Sequence, residues 1–152
     1  MRRKEKEITD RAEIESVISK STVCYLSMCD GDRPYTVPLC FGYDKGVLYF
    51  HSALSGRKID VLKHNDRVCF VFVIDPELVR KGEDGCDWGI RYQSVIGSGR
   101  AVFVQEGDSK RKALDVILSQ YADGRFQYVE SKLKNTLVIR VDIEEMTGKR
   151  SG

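Results

Sequence analysis

The chain has 152 residues, 41% of them apolar and 32% charged, with a net charge of +2. One domain of ordinary size is the expectation, and the balance excludes a disordered or collagen-like chain. Acids and bases are interleaved without a basic stripe, so nucleic acid is not an expected partner.

The N-terminus, Met1 to Glu7, is charged and has no apolar stretch behind it, so it reads as a flexible tail and not a secretory signal. The rest, to Gly152, reads as one domain. Asp10, with Glu13 three residues on, starts a helix whose stripe is Ile14, Val17 and Ile18, ending near Lys20 and plugging a sheet. Ser21 to Met28 predicts a strand, Asp30-Gly31 a tight turn, and Pro34 to Tyr43 the returning strand. Pro38 interrupts that strand and marks an edge, a bulge or a surface turned toward a ligand. In the last case the backbone groups of Thr36, Val37 and Leu39 are free to pair with a flat heterocycle.

Val47 to Ser52 predicts the next strand, and a helix opens near Gly56, with Ile59 and Leu62 at helical spacing up to Asn65. The junction gathers Ser52, Ser55, Gly56, Arg57, Lys58 and the free N–H groups of a helix start, which is the composition of a phosphate seat. An ordinary cap with a solvated basic first turn has the same residues. No Walker A spacing surrounds Gly56, and Gly97-Ser98-Gly99 sits in a strand-like run where a dinucleotide fingerprint needs a helix start.

Arg67 to Asp75 reads as a nearly continuous apolar strand. Its longest unbroken apolar run, Val68 to Ile74, is far below the ~18 residues of a membrane span. Pro76 to Gly89 follows as a long charged loop in which Trp88 serves as an anchor or as a lid. Arg91 to Gln105 is a long strand that Gly97 and Gly99 allow to bend sharply, as barrels require. Asp108 caps a helix running toward Gly124, Phe126 to Leu133 adds a shorter one, and Thr136 to Ile143 is the closing strand. Six mostly consecutive strands with helices around them predict a mainly β protein, an antiparallel β-barrel with flanking helices.

The five cysteines are scattered, odd in number and never paired as C-x-x-C, which argues for a reducing cytoplasm. His51 and His64 are the only histidines and lack the paired spacing of a metal site, so none is expected.

Tyr49-Phe50-His51-Ser52-Ala53, Gly56-Arg57-Lys58 with Asn65, Arg91 to Ile96 with Gly99-Arg100-Ala101, and Ile139 to Lys149 together resemble the 5-nitroimidazole resistance proteins. These are pyridoxamine 5′-phosphate oxidase-related flavin-binding split β-barrels. The resemblance implies a six-stranded split barrel and a homodimer holding FMN in grooves at the subunit interface. Ser52, Arg57, Lys58 and the helix start at Gly56 would meet the phosphate. The ring would lie along Thr36, Val37, Pro38 and Leu39, with Phe50, His51 and Ala53 beside it and Tyr92, Gln93 and Ser94 nearby, some from the second chain.

By the same resemblance His51 is the catalytic residue of an FMN-dependent oxidoreductase of nitroreductase type, moving a proton while reduced FMN reduces a small, possibly nitroaromatic, acceptor. The alternative role for His51 is to order the phosphate loop. The chain stops at Gly152 without the arginine-bearing extension that grips pyridoxal phosphate, which argues against vitamin B6 oxidation. The alternatives to an enzyme are a non-catalytic flavin- or haem-binding module, with His51 or His64 as axial ligand, and a plain anion-binding domain.

Overall fold

A computed structural model describes residues 3–152. A short 3₁₀ turn at Lys4–Lys6 leads into β1 (Glu7–Ile8), followed by α1 (Arg11–Lys20), β2 (Cys24–Asp30), β3 (Arg33–Leu39), β4 (Gly42–Asp44) and β5 (Val47–Ala53). Then come α2 (Arg57–His64), β6 (Arg67–Val79), β7 (Gly89–Val104), α3 (Gly107–Ser119), α4 (Glu130–Lys134) and β8 (Thr136–Ser151). The strands form one antiparallel sheet in the order β3-β2-β6-β7-β8-β5-β4, with β1 on β8. The sheet curls around one core. The class is the one predicted, an antiparallel split barrel with helices around it, but the described strands number eight where six were expected.

The extra strands are short pieces that propensity does not announce. Glu7 and Ile8 pair with Lys149 and Gly148, so the expected tail is tied down from Glu7 onward, while Met1 and Arg2 lie outside the described residues. The single strand expected over Pro34 to Tyr43 breaks at Cys40–Phe41, because the fully buried Phe41 turns inward onto Phe72, 4.7 Å between ring centroids. The strand resumes at Gly42, opposite Tyr49.

β3 pairs only with β2, and Pro34 and Pro38 sit there opposite Cys29 and Tyr25. Pro38 thus stands on an edge strand, which can spare the missing N–H donor.

The charged loop expected from Pro76 is shorter than its composition suggests. β6 continues to Val79, with its register jumping between Ile74 and Glu77 and Asp75 at φ 51°, so Pro76 falls inside a bulge. A bulge leaves a residue out of the ladder, which is what lets a proline stand within a strand. In the remaining connector the Trp88 indole donates to the Gly82 carbonyl at 3.3 Å and lies 4.7 Å beneath the Arg80 guanidinium, anchoring the turn.

β8 runs on to Ser151, well beyond Ile143, and α3 begins at Gly107 with Glu106 at its N-cap, so Asp108 lies in the first turn instead of capping it. That helix stops at Ser119, short of Gly124, and the shorter helix spans Glu130–Lys134.

The main core joins Leu26, Phe41, Leu48, Phe50, Phe70 and Phe72 inside the sheet to Ile14, Val17 and Ile18 of α1, which plugs it as the stripe predicted. A second cluster packs Ala113, Leu114 and Ile117 of α3 on Leu133 and Val138. The Asp10 side chain accepts from the Ala12 N–H at 3.2 Å, whereas Glu13 pairs with Arg150 and completes no capping box. Asp10→Ala removes that cap and is expected to cost about 1 kcal/mol, read as a drop of roughly 2–4 °C in thermal unfolding. Among the described residues no helix is long and apolar enough to cross a membrane.

Candidate functional site

The elbow between β5 and α2 is built around Gly56. Its φ of 128° is a conformation that side-chain-bearing residues rarely adopt, and nothing lies within 4 Å of where a Cβ would project. Its carbonyl accepts from the N–H groups of Ile59 (2.8 Å) and Asp60 (3.1 Å), while no side chain caps the helix. The N–H groups of Arg57 and Lys58 therefore have no partner inside the helix and carry its positive end.

Lys58 is half-buried, and burial alone pushes its ammonium below the usual lysine range. Among the described residues no carboxylate offsets that desolvation. Arg57 differs: its Nε and Nη2 donate to Asp30 at 3.3 and 3.2 Å, and its guanidinium lies 4.5 Å from the Tyr35 ring centroid. The pair is about half exposed, so a competing anion could displace Asp30 at a cost near 1 kcal/mol or less. An uncapped helix start, open space and a desolvated cation make a seat suited to a phosphate group.

Arg57 ties this elbow to β3 through Tyr35. On β3, Thr36 and Pro38 face out and Val37 and Leu39 pack on the core, while Thr36 exchanges a 2.9 Å hydrogen bond with Ser27. On β5, Ser52 follows Leu48 and Phe50 on the inward face, and the Phe50 ring is wholly buried in the core. Phe50 is wholly buried in this chain, backbone included, so it offers no exposed surface to a ring here.

His51 and Ala53 point the other way and are exposed, because successive strand residues alternate between faces. His51 lines a cavity of about 310 Å³ between β5 and the α3–α4 segment, together with Leu114, Ile117, Tyr128 and Lys132. Burial and a 2.7 Å hydrogen bond to the Asp115 carboxylate push the Tyr128 phenol up.

Tyr92, Gln93 and Ser94 stand apart from both groups. They pair with Ser151, Arg150 and Lys149 on β8, whereas Ser52 pairs with Leu137 near the other end of that strand. The intervening strand is about 40 Å of contour at ~3.3 Å per residue. Leu39 of β3 is level with Val95 but separated from it by β2 and β6, three strand spacings or about 14 Å. Measured along the sheet, Tyr92–Ser94 therefore lie apart from the elbow and from β3, and Ser94 is buried. Lys149 donates to the Tyr92 hydroxyl at 3.1 Å and holds that phenol below its usual range.

Sequence reasoning missed Tyr35, Asp30 and Tyr128. The inward parity of Tyr35 next to Thr36 was available as a signal, but Tyr128 lies in an irregular segment with no periodicity to place it.

A family model described as pyridoxamine 5′-phosphate oxidase matches residues 10–150. Among solved structures, one from Bacteroides thetaiotaomicron, assigned to 5-nitroimidazole antibiotic resistance, is 34% identical over 95% of this chain and 86% of its own, with a TM-score of 0.85. A flavocytochrome from Azotobacter vinelandii superposes with a TM-score of 0.87 at 17% identity, over 100% of this chain and 72% of that one. An FAD- and haem-binding protein from Mycobacterium smegmatis does so at 0.86 and 18%, over 96% and 73%. The last two bear on the fold alone. No curated protein sequence matches the chain.

Proposed function

Because the chain belongs to the pyridoxamine 5′-phosphate oxidase family, matched over residues 10–150, we propose that it is an FMN-binding oxidoreductase that reduces a small acceptor. The observation that carries the reading is Lys58: a half-buried ammonium with no anion beside it, at an uncapped helix start, is what a phosphate monoester would complete. Ser52, Arg57 and the first-turn N–H groups are the companion contacts, and the outer edge of β3 along Thr36 to Leu39 offers backbone groups to the ring.

The resemblance implies that Tyr92 and Gln93 meet such a ring from a second copy, so the proposed working unit is a homodimer; Ser94 is buried in its own chain. The resemblance to a structure assigned to nitroimidazole resistance favours a nitro compound as acceptor. Three exposed thiols among the five free cysteines suit a reducing, cytoplasmic setting.

When bound, reduced FMN supplies the electrons and hydride. The chain's own part is placement and proton handling. Lys58 and Arg57 fix the phosphate end, and Leu114 and Ile117 give the cavity beside His51 an apolar wall. The exposed imidazole of His51 lies on the opposite face of β5 from Ser52, so its proton role requires that the flavin ring reach that face, as the resemblance implies across the dimer.

The test is an absorbance spectrum of the purified protein before and after loading with FMN and desalting, then anaerobic reduction and reoxidation by a panel of acceptors that includes a 5-nitroimidazole. Retained oxidised-flavin absorbance and rapid reoxidation are expected. His51→Ala should slow reoxidation by about 100-fold or more while the flavin stays bound. A colourless protein that releases added FMN would sink the reading.

A further inference from the structure

The cavity of about 310 Å³ between β5 and the α3–α4 segment has the size of a small-ligand pocket and an uneven chemistry. Its apolar side is Leu114, Ile117 and Leu133, each nine-tenths or more buried, where α3 and α4 pack together on Val138. Val129 lines the same space and is 60% exposed, so apolar surface continues to the mouth. The Tyr128 ring adds a flat wall on which an aromatic body can pack edge-on or face-on.

The polar groups are not balanced. No carboxylate lines the cavity, whereas Lys132 does, and among the described residues Lys132 makes no ion pair. Two acids of the flanking helices are committed elsewhere: Asp115 accepts from the Tyr128 hydroxyl at 2.7 Å, and Glu130 pairs with Arg111. Because that hydroxyl spends its one proton on Asp115, Tyr128 offers a ligand only an acceptor oxygen. An anionic group on a ligand finds no donor there and is directed to Lys132. A cationic ligand would meet the Lys132 ammonium with no acid lining the cavity to offset it.

We propose that this cavity binds a small aromatic carboxylate, its ring on Leu114, Ile117 and Leu133 and its carboxylate on Lys132. Strand parity puts the cavity, with His51, on the face of β5 away from Ser52, so it is separate from the phosphate seat of the same chain. Lys132 is then the residue that selects for an acid. That the acid is the acceptor rests on the oxidoreductase reading above and narrows it; that the acid binds does not depend on flavin.

Equilibrium dialysis against 2-naphthoate, 2-naphthamide and 2-naphthylmethylamine compares an acid, a neutral amide and a cation of nearly one shape, on protein with and without added FMN. The wild type is expected to hold the acid about 5- to 10-fold more tightly than the amide, and the amine least. Raised salt should shrink the preference, because Lys132 is exposed. Lys132→Gln should abolish the preference and leave the affinity for the amide unchanged, which together with circular dichroism shows that the apolar side and the fold are intact.

Acid and amide held equally by the wild type, or an acid preference that survives in Lys132→Gln, overturns the pocket, and FMN retained by the same protein leaves the flavin reading standing. An acid preference that Lys132→Gln removes, in a protein that releases FMN, supports the pocket while the flavin reading falls. A wild type that binds none of the three compounds overturns the pocket whether or not FMN is held.

Discussion

Lys58→Ala should weaken FMN binding by about 10- to 150-fold, the loss of one charge-assisted contact worth roughly 1.5–3 kcal/mol. Lys58 is singled out by its surroundings. Burial lowers its ammonium and no carboxylate compensates, so a bound phosphate would be its counter-ion. Folding should not suffer, because the substitution removes a desolvated charge and breaks no ion pair. Arg57→Ala is expected to cost less, since Asp30 already holds the guanidinium and would be released along with it. Quenching of FMN fluorescence on titration measures both, with thermal unfolding as the control for stability. An FMN affinity unchanged in Lys58→Ala would remove the elbow from the flavin site and leave an ordinary helix start.

Gly97→Ala should cost about 3 kcal/mol of folding stability, at the upper end of overpacking costs. A Cβ at this position would lie 2.6 Å from the Glu145 carbonyl oxygen and 2.8 Å from Cε2 of Phe70, and closer still to the ring's Cζ. Phe70 is fully buried between its neighbours and cannot swing aside, and the Glu145 carbonyl belongs to the backbone of β8. Circular dichroism should show unfolding about 6–12 °C lower. Gly107→Ala is the matched control: nothing lies within 4 Å of its Cβ position at the start of α3, and no loss is expected. Equal stability in the two variants would mean that β7 and β8 can separate at Gly97, contrary to the packing described.

The barrel and its plug were legible because hydrophobic alternation and helical spacing are local quantities. Ile14, Val17 and Ile18 announced a buried helix face, and the pair Gly97 and Gly99 announced a bend where β7 presses on β8. What sequence could not show was decided by pairing between distant segments. Glu7 and Ile8 become a strand only because Lys149 and Gly148 are beside them, and Pro76 stops nothing because a bulge at Asp75 absorbs it.

For the candidate site, residue chemistry marks the Ser52–Lys58 elbow, since hydroxyls, cations and a glycine at a helix start are readable in order along the chain. The sequence could not say that Asp30 would occupy Arg57 while Lys58 stayed free, that Phe50 would be spent on the core, or that His51 would face the α3–α4 cavity on the side away from Ser52. Strand parity and long-range contacts set those outcomes, and both are properties of the folded sheet. The amino-acid order by itself therefore determined the chemical groups gathered at the Ser52–Lys58 elbow and the alternation and helical spacing of the main strands and helices. Only the tertiary structure decided which of those groups are unpaired and which face each one takes, because burial and ion pairing arise between residues that lie far apart in the chain.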